Sequence, residues 1–397
     1  MSESTFDGYH RPDGRIGIRN YVAVVPMSAT ASPIAKRLAA DAEHMVRATP
    51  HQLPLHPPTP AREQLERVLV GIAHNPNVAG TLFVGLGTES TAIEELADRA
   101  ARAGKPVETM TIHDAGGVSG AIESGSDHIV SLVDDARDAT RSPASMESLI
   151  VGLECGGSDA TSGLASNPVV GRACDRLVAA GGTGVISETP EFIGAEHILA
   201  DRCADDAVRD RLLACVDRRE RMADLMGVDF RGAQPSPGNQ EGGLTTIEEK
   251  SLGAIAKGGT TPLQDVIAYG KSLPVGGGFV VMDTPGYDVE SVSGKVAGGA
   301  QLVIFTTGRG STTGNPIAPV IKVTGNPETA ARMADNMDVD ASGVVAGERI
   351  DDIGDDLFET IRAVADGQPT AAERFGMAEF AINDIPPNEI ASMGAPE

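Results

Sequence analysis

The sequence predicts an α/β fold of two domains, each built on a mainly parallel sheet flanked by helices. Three observations carry that prediction. Short β-branched runs alternate with amphipathic stretches along the chain, a β-α-β rhythm that produces parallel strands joined by right-handed crossovers. The 397 residues exceed what one core commonly serves. Apolar residues make up 41% of the chain, enough to fill two cores and too many for disorder.

Taken in order, YVAVVP at 21–26 reads as a strand entering a small-residue turn, with a helix over 35–40 behind it. The Pro-rich loop HQLPLHPPTP (51–60) precedes a helix over 62–74 and the strand TLFVGLG (81–87). A helix over 90–103, the strand VETMTI (107–112) and a helix over 118–138 complete the first unit. RSPAS at 141–145 is the expected linker, dividing an N-terminal α/β domain (1–145) from a C-terminal α/β catalytic domain (146–397). The second unit holds the buried-strand runs SLIVGLE (148–154), TGVISE (183–188), GFVVMDT (278–284) and AQLVIFTTG (300–308), with one long helix over about 196–226. These runs end in polar or small residues, at the carboxyl edge where open α/β sheets bind ligands.

Charge and composition narrow the function. With 32 basic and 56 acidic side chains the net charge is −24, which repels nucleic acid and anionic membrane at long range. Trp is absent, so an aromatic platform for stacked bases is not expected. The charged start of the chain does not read as a signal peptide, and no apolar run reaches the roughly 18 residues of a membrane span, so a cytoplasmic location is expected. Only seven of the basic residues are Lys, and acids crowd segments such as 351–356; we read this as adaptation to high salt. Four cysteines without a CxxC pair support neither a disulfide framework nor structural zinc.

Four strings stand out. GLECGGSDATSG (152–163) brings Cys155, Ser158 and Asp159 together around two glycines, a set suited to a soft divalent metal or to a tight turn with an inert thiol. In ISETPEFIGAEHI (186–198), Glu188 and Glu191 place two carboxylates at one sheet edge, for an ion or for general base work; His197 reads as a surface or packing residue. TTIEEKSLGAIAKGG (245–259) contains a capping-box pattern, yet Lys250 survives in a chain that avoids Lys, which points to proton transfer or a carboxylate contact alongside Glu249. FTTGRGSTTGNP (305–316) sets Arg309 between glycines, a cradle for a small acid and not a P-loop. Arg15, Arg19 and Asn20 in DGRIGIRN offer similar contacts.

At these residues the sequence resembles the altronate and galactarate dehydratase family, which includes the large subunit of sulfolactate sulfo-lyase. GLECGGSD with a following SG, the SETPE and GAE stretch, SPGN, TxxEEKSLG and TGRG occur in family order from about residue 8 to 380. Within the family the strings are most similar to those of altronate dehydratases. Family members usually carry a small β-rich domain ahead of this region, so the resemblance implies a separately encoded small subunit, and an oligomer. It also departs from the family, because GLGTE (85–89) has Thr88 where bacterial relatives have Cys.

The resemblance implies an iron-dependent hydro-lyase holding Fe(II), or else Mn(II), and acting on a small sugar acid. An aldonate would lose its α-proton and then its β-hydroxyl, giving a 2-keto-3-deoxy acid. The α-proton is weakly acidic, so charge stabilisation and a general base are required. The expected roles are Cys155, Asp159 and Glu188 near the metal; Lys250, Glu249 and Glu191 in proton transfer; and Arg309, Arg19, Asn20 and Ser158 on the substrate. The alternatives are a sulfo-lyase subunit expelling sulfite, and a non-catalytic acid-binding subunit.

Overall fold

The computed structural model describes residues 5–225, 227 and 229–383. Among these the strands are, in chain order, β1 (Thr5–His10), β2 (Ile16–Gly17), β3 (Tyr21–Pro26), β4 (Val46–Ala48), β5 (Val78–Gly85), β6 (Val107–Thr111), β7 (Ser142–Ser145), β8 (Ile150–Cys155), β9 (Thr183–Ile186), β10 (Leu263–Ala268), β11 (Gly278–Asp283), β12 (Leu302–Thr306), β13 (Val320–Thr324) and β14 (Val339–Asp340). They form a four-stranded parallel sheet ordered β4-β3-β5-β6 and a seven-stranded parallel sheet ordered β10-β11-β9-β8-β12-β13-β14. The mainly parallel α/β architecture is thus as the alternation predicts.

A third, antiparallel sheet orders β2-β1-β7 and corrects one expectation. RSPAS is no free linker: residues 142–145 form β7, with Phe6 opposite Ala144. A short strand of small and polar residues carries no hydrophobic periodicity, so the pairing was invisible locally. The long helix is also two, Glu196–Ala200 and Asp206–Leu225. Asp205 Oδ1 accepts from Val208 N at 2.9 Å and caps the second, while Ala204 N donates to Leu263 O at 2.8 Å and draws the break onto β10. Met226, the expected end of that helix, lies outside the described residues.

The central strands of the large sheet are buried on both faces, as parallel strands under helices must be. The two sheets share a core: Val68, Leu69 and Phe83 of the first half cluster with Val292, Val296 and Phe305 of the second. In the large sheet the chain runs from β8 outward to β9 on one side and later to β12 on the other. The carboxyl end of β8 is therefore a topological switch point, where such sheets open a crevice.

Candidate active site

That crevice is a cavity of about 480 Å³. Cys155, Gly156, Gly157 and Ser158 enter it from the end of β8, Glu191 from the turn after β9, Asp288 from beyond β11, Arg309 from beyond β12, and Lys250 from the helix Ile247–Ile255. Gly156 is required here, because a Cβ at that position would overlap the Asp288 carboxylate.

Beneath the cavity lies a network of buried charge. Lys257, in the 3-10 turn Ala256–Gly258, is fully buried and donates to Cys155 Sγ at 2.7 Å and to Glu188 Oε2 at 2.9 Å. Glu191 Oε2 lies 3.5 Å from the same ammonium and accepts from the Cys155 thiol at 2.9 Å. Lys250 Nζ sits 3.1 Å from Glu191 Oε1. On the far face of β8, fully buried Lys295 pairs with Glu154 and donates to Ser187 Oγ at 2.6 Å, and Ser291 Oγ donates to Glu154 at 2.8 Å.

These neighbours set the protonation states. Burial pushes the Cys155 thiol well up, the Glu191 charge adds to it, and Lys257 only partly opposes them, so the sulfur stays a thiol. Burial disfavours charge on Glu191 too, but Lys250 and Lys257 together overcome it and hold the carboxyl at about 2. Burial works against the Lys257 ammonium and is outweighed by the surrounding thiol and carboxylates, which keep it charged. Glu188 is pushed well above the carboxylate range by burial and then by Glu154 and Glu191. Burial, with the same two charges, lifts Asp288 to about 7.

The backbone at Glu188 is unusual. Its φ of 67° makes it the one non-glycine residue in the left-handed region among those described. Glu188 N donates to Thr284 Oγ1 at 2.8 Å, and the Thr189 hydroxyl donates to Asp283 Oδ1 at 2.7 Å, so the conformation is held from both sides.

Two donor sets converge here. Ligand atoms of Cys155, Glu188 and Glu191 lie within 4.8 Å of one another, as do those of Glu154, Glu188 and Asp288. Glu154 Oε1 and Glu188 Oε1 are buried and receive no hydrogen bond among the described residues. The carboxylates of Glu154, Glu188, Glu191 and Asp288 face only three ammoniums, those of Lys250, Lys257 and Lys295. A divalent cation suits the oxygen set, which has orphaned acceptors and, on Glu188 and Asp288, protons held by burial that a cation would displace. The thiol set suits it less, because Lys257 already engages all three of its donors.

Of the residues singled out in the sequence, Cys155, Ser158, Glu188, Glu191, Lys250 and Arg309 meet in or under this cavity. Ser158 contributes its backbone, with its carbonyl accepting from Asn239 at 2.9 Å. Arg309 donates to Gly238 O and lies 3.0 Å from Glu241 Oε2. Four residues are placed differently. The Asp159 carboxylate accepts from Thr161 N at 2.9 Å, Ser162 N at 3.1 Å and Asn326 Nδ2 at 2.7 Å, and so caps a turn instead of joining either donor set. Glu249 accepts from Thr245 N at 2.8 Å and Thr245 Oγ1 at 2.6 Å; these bonds keep its pKa low, as a cap and not an acid. Arg19 lies outside the cavity, its guanidinium committed to Glu373 and to the carbonyls of Ile18, Val364 and Gln368. Asn20 bridges Arg11 and Ala136 O.

Lys257, Asp288, Glu154 and Lys295 were missed in the sequence. The scarcity of lysine was a usable signal, because four of the seven lysines, Lys105, Lys257, Lys295 and Lys322, are buried.

Comparison with known proteins gives the family. The pattern described as D-galactarate/altronate dehydratase, C-terminal, matches residues 146–387, and that described as D-galactarate dehydratase/altronate hydrolase, second domain, matches residues 8–137. The (2R)-sulfolactate sulfo-lyase subunit beta of Chromohalobacter salexigens is 38% identical over 392 residues, 96% of this chain and 97% of the relative. Altronate dehydratase of Escherichia coli is 31% identical over 389 residues, 94% of this chain and 76% of the relative. Galactarate dehydratase (L-threo-forming) of Escherichia coli is 36% identical over 329 residues, 78% and 61% respectively. With both patterns matched in order and together spanning most of its length, the chain belongs to the D-galactarate/altronate dehydratase family.

Proposed function

We propose that the protein is a lyase that dehydrates a small polyhydroxylated acid of the altronate type to a 2-keto-3-deoxy acid. The observation that carries this is the convergence of Glu191, Lys250, Asp288 and Arg309, from four separate segments, on the cavity over the buried charges. Arg309 receives the substrate carboxylate by exchanging its contact with Glu241. Glu191 takes the α-proton, and Lys250 gives a proton to the departing β-hydroxyl. The pair is 3.1 Å apart, so the proton gained by Glu191 returns directly to Lys250 and the site is restored. Substrate binding beside Lys250 also weakens its hold on Glu191, raising the basicity of a carboxylate that the free site keeps depressed. Lys257 holds Glu188 and the Cys155 thiol in place throughout. Glu154, Glu188 and Asp288 would hold the divalent cation, Fe(II) or Mn(II), whose charge offsets that developing on the substrate carboxylate.

The sulfo-lyase relative supports a second reading, since it matches almost the whole of both chains. There the same α-proton removal would expel sulfite. Its name as a subunit also supports a partner for this chain, which we take to be the small β-rich subunit.

The test is product analysis with D-altronate, galactarate and (2R)-sulfolactate, with and without such a partner. Keto acid without sulfite supports the dehydratase, and sulfite supports the second reading. Glu191→Gln and Lys250→Met are each expected to lower kcat by about 100-fold or more. Wild-type turnover in both variants would remove these roles.

A further inference from the structure

A second cavity, of about 440 Å³, lies where the two halves meet. The helix Thr59–His74 presents Arg67 to it, the helix Asp206–Leu225 presents Arg211 and Arg218, and the segment after β10 presents Lys271. In a chain of net charge −24 this is an unusual gathering of cations.

Two of the four cations are already neutralised, Arg211 by Asp265 at 2.7 Å and Arg218 by Asp283. Arg67 and Lys271 have no ion pair among the described residues. The Arg67 guanidinium is half-buried, and its one hydrogen bond among the described residues goes to Tyr269 O at 2.8 Å. Arg218 Nε is buried and donates to nothing among the described residues. Glu63 and Asp283 are the carboxylates on the wall, and Asp283 is already shared by Arg218 and Arg219. The donors that Arg67 and Lys271 leave uncommitted on this cleft fit an anion, because the planar guanidinium fork matches the two oxygens of a carboxylate or phosphate.

The wall also reaches the active site. Asp283 Oδ1 accepts from the Thr189 hydroxyl, and Thr189 follows Glu188 in the left-handed turn. A ligand that draws on Arg218 changes what holds Asp283, and through Thr189 the turn itself.

We propose that this cleft binds a small dianion, a phosphate or dicarboxylate, and acts as an effector site on the Glu188 turn. Binding alone tests the first part, independently of the reaction assigned above. Calorimetric titration of the whole protein with sodium phosphate, and separately with sodium malonate, at fixed ionic strength is expected to show a saturable event that persists in R309Q, where the carboxylate contact of the active site is removed. The tighter probe names the chemical source. In R67Q/K271Q the affinity should fall about tenfold or more, and in R309Q it should not change. Arg67→Lys, with Lys271 intact, should restore part of it, which separates loss of the site from misfolding. No saturable heat, or loss in R309Q with retention in R67Q/K271Q, overturns the site. For the effector role, saturating phosphate should change kcat with KM held in the wild type and not in R67Q/K271Q. Turnover indifferent to phosphate overturns that role.

Discussion

Lys257 is the residue whose removal the buried network tolerates least. Its ammonium faces a thiol and two carboxylates away from bulk solvent, so Lys257→Met leaves Glu188 and Glu191 buried and short of a counter-charge. We expect a loss of about 3–5 kcal/mol in urea unfolding, together with loss of turnover. A variant of wild-type stability would show that those carboxyls are neutral or hydrated. His51 sets a pH limit of another kind. It is buried, with Nε2 on Pro26 O at 2.9 Å and Nδ1 accepting from Leu53 N at 3.2 Å, so only the neutral ring satisfies both, and burial lowers its pKa to about 4. The unfolded chain takes up a proton near pH 6.5, before the folded one does. Stability is therefore full above that pH and falls by ~3 kcal/mol as the pH drops toward 4. His51→Gln should flatten that limb of the stability profile. At this scale the sequence was readable where a side chain sits at a strand end, and Cys155, Glu188 and Arg309 do lie in or under one cavity. It misled where a polar side chain serves its own turn, as for Asp159 and Glu249. Lys257 escaped because it closes a helix in a small-residue string, where a lysine reads as an ordinary helix end.

The helix Thr59–His74 shows how closely elements of the two halves approach. A Cβ on Gly71 would overlap the carbonyl of Ala297, the last residue of the helix Asp288–Ala297 that carries Asp288 and Lys295. Alanine is the better helix former, yet Gly71→Ala should destabilise the protein by about 1–3 kcal/mol, because backbone and not a flexible side chain must move. Thermal unfolding checks the sign, and a stabilised variant would mean that the helices stand further apart. Most long elements were legible from periodicity. β7 was not, because SPAS has neither β-branched residues nor alternation. The break at 201–205 was not, because helix-compatible residues run through it, and what ends the helix is a cap and a contact with β10 more than fifty residues away.

Across the whole molecule the surplus of acid is the dominant field. The chain should gain stability as salt screens its self-repulsion, with the unfolding midpoint rising between about 0.05 and 1 M KCl. A flat or falling midpoint would argue that acids and arginines are already paired closely enough to cancel, and against adaptation to high salt. The parallel α/β class was visible in the alternation of runs. The shared core was not, because nothing local says that Val68 and Phe305 will touch.

Strand order has a further consequence for the chain as it leaves the ribosome. β8 finds β9 soon after it is made, but its other neighbour, β12, emerges only about 150 residues later. Until then the strand that ends at Cys155 offers a bare apolar edge to any other nascent chain, so vectorial synthesis is the interval in which this protein most needs a chaperone.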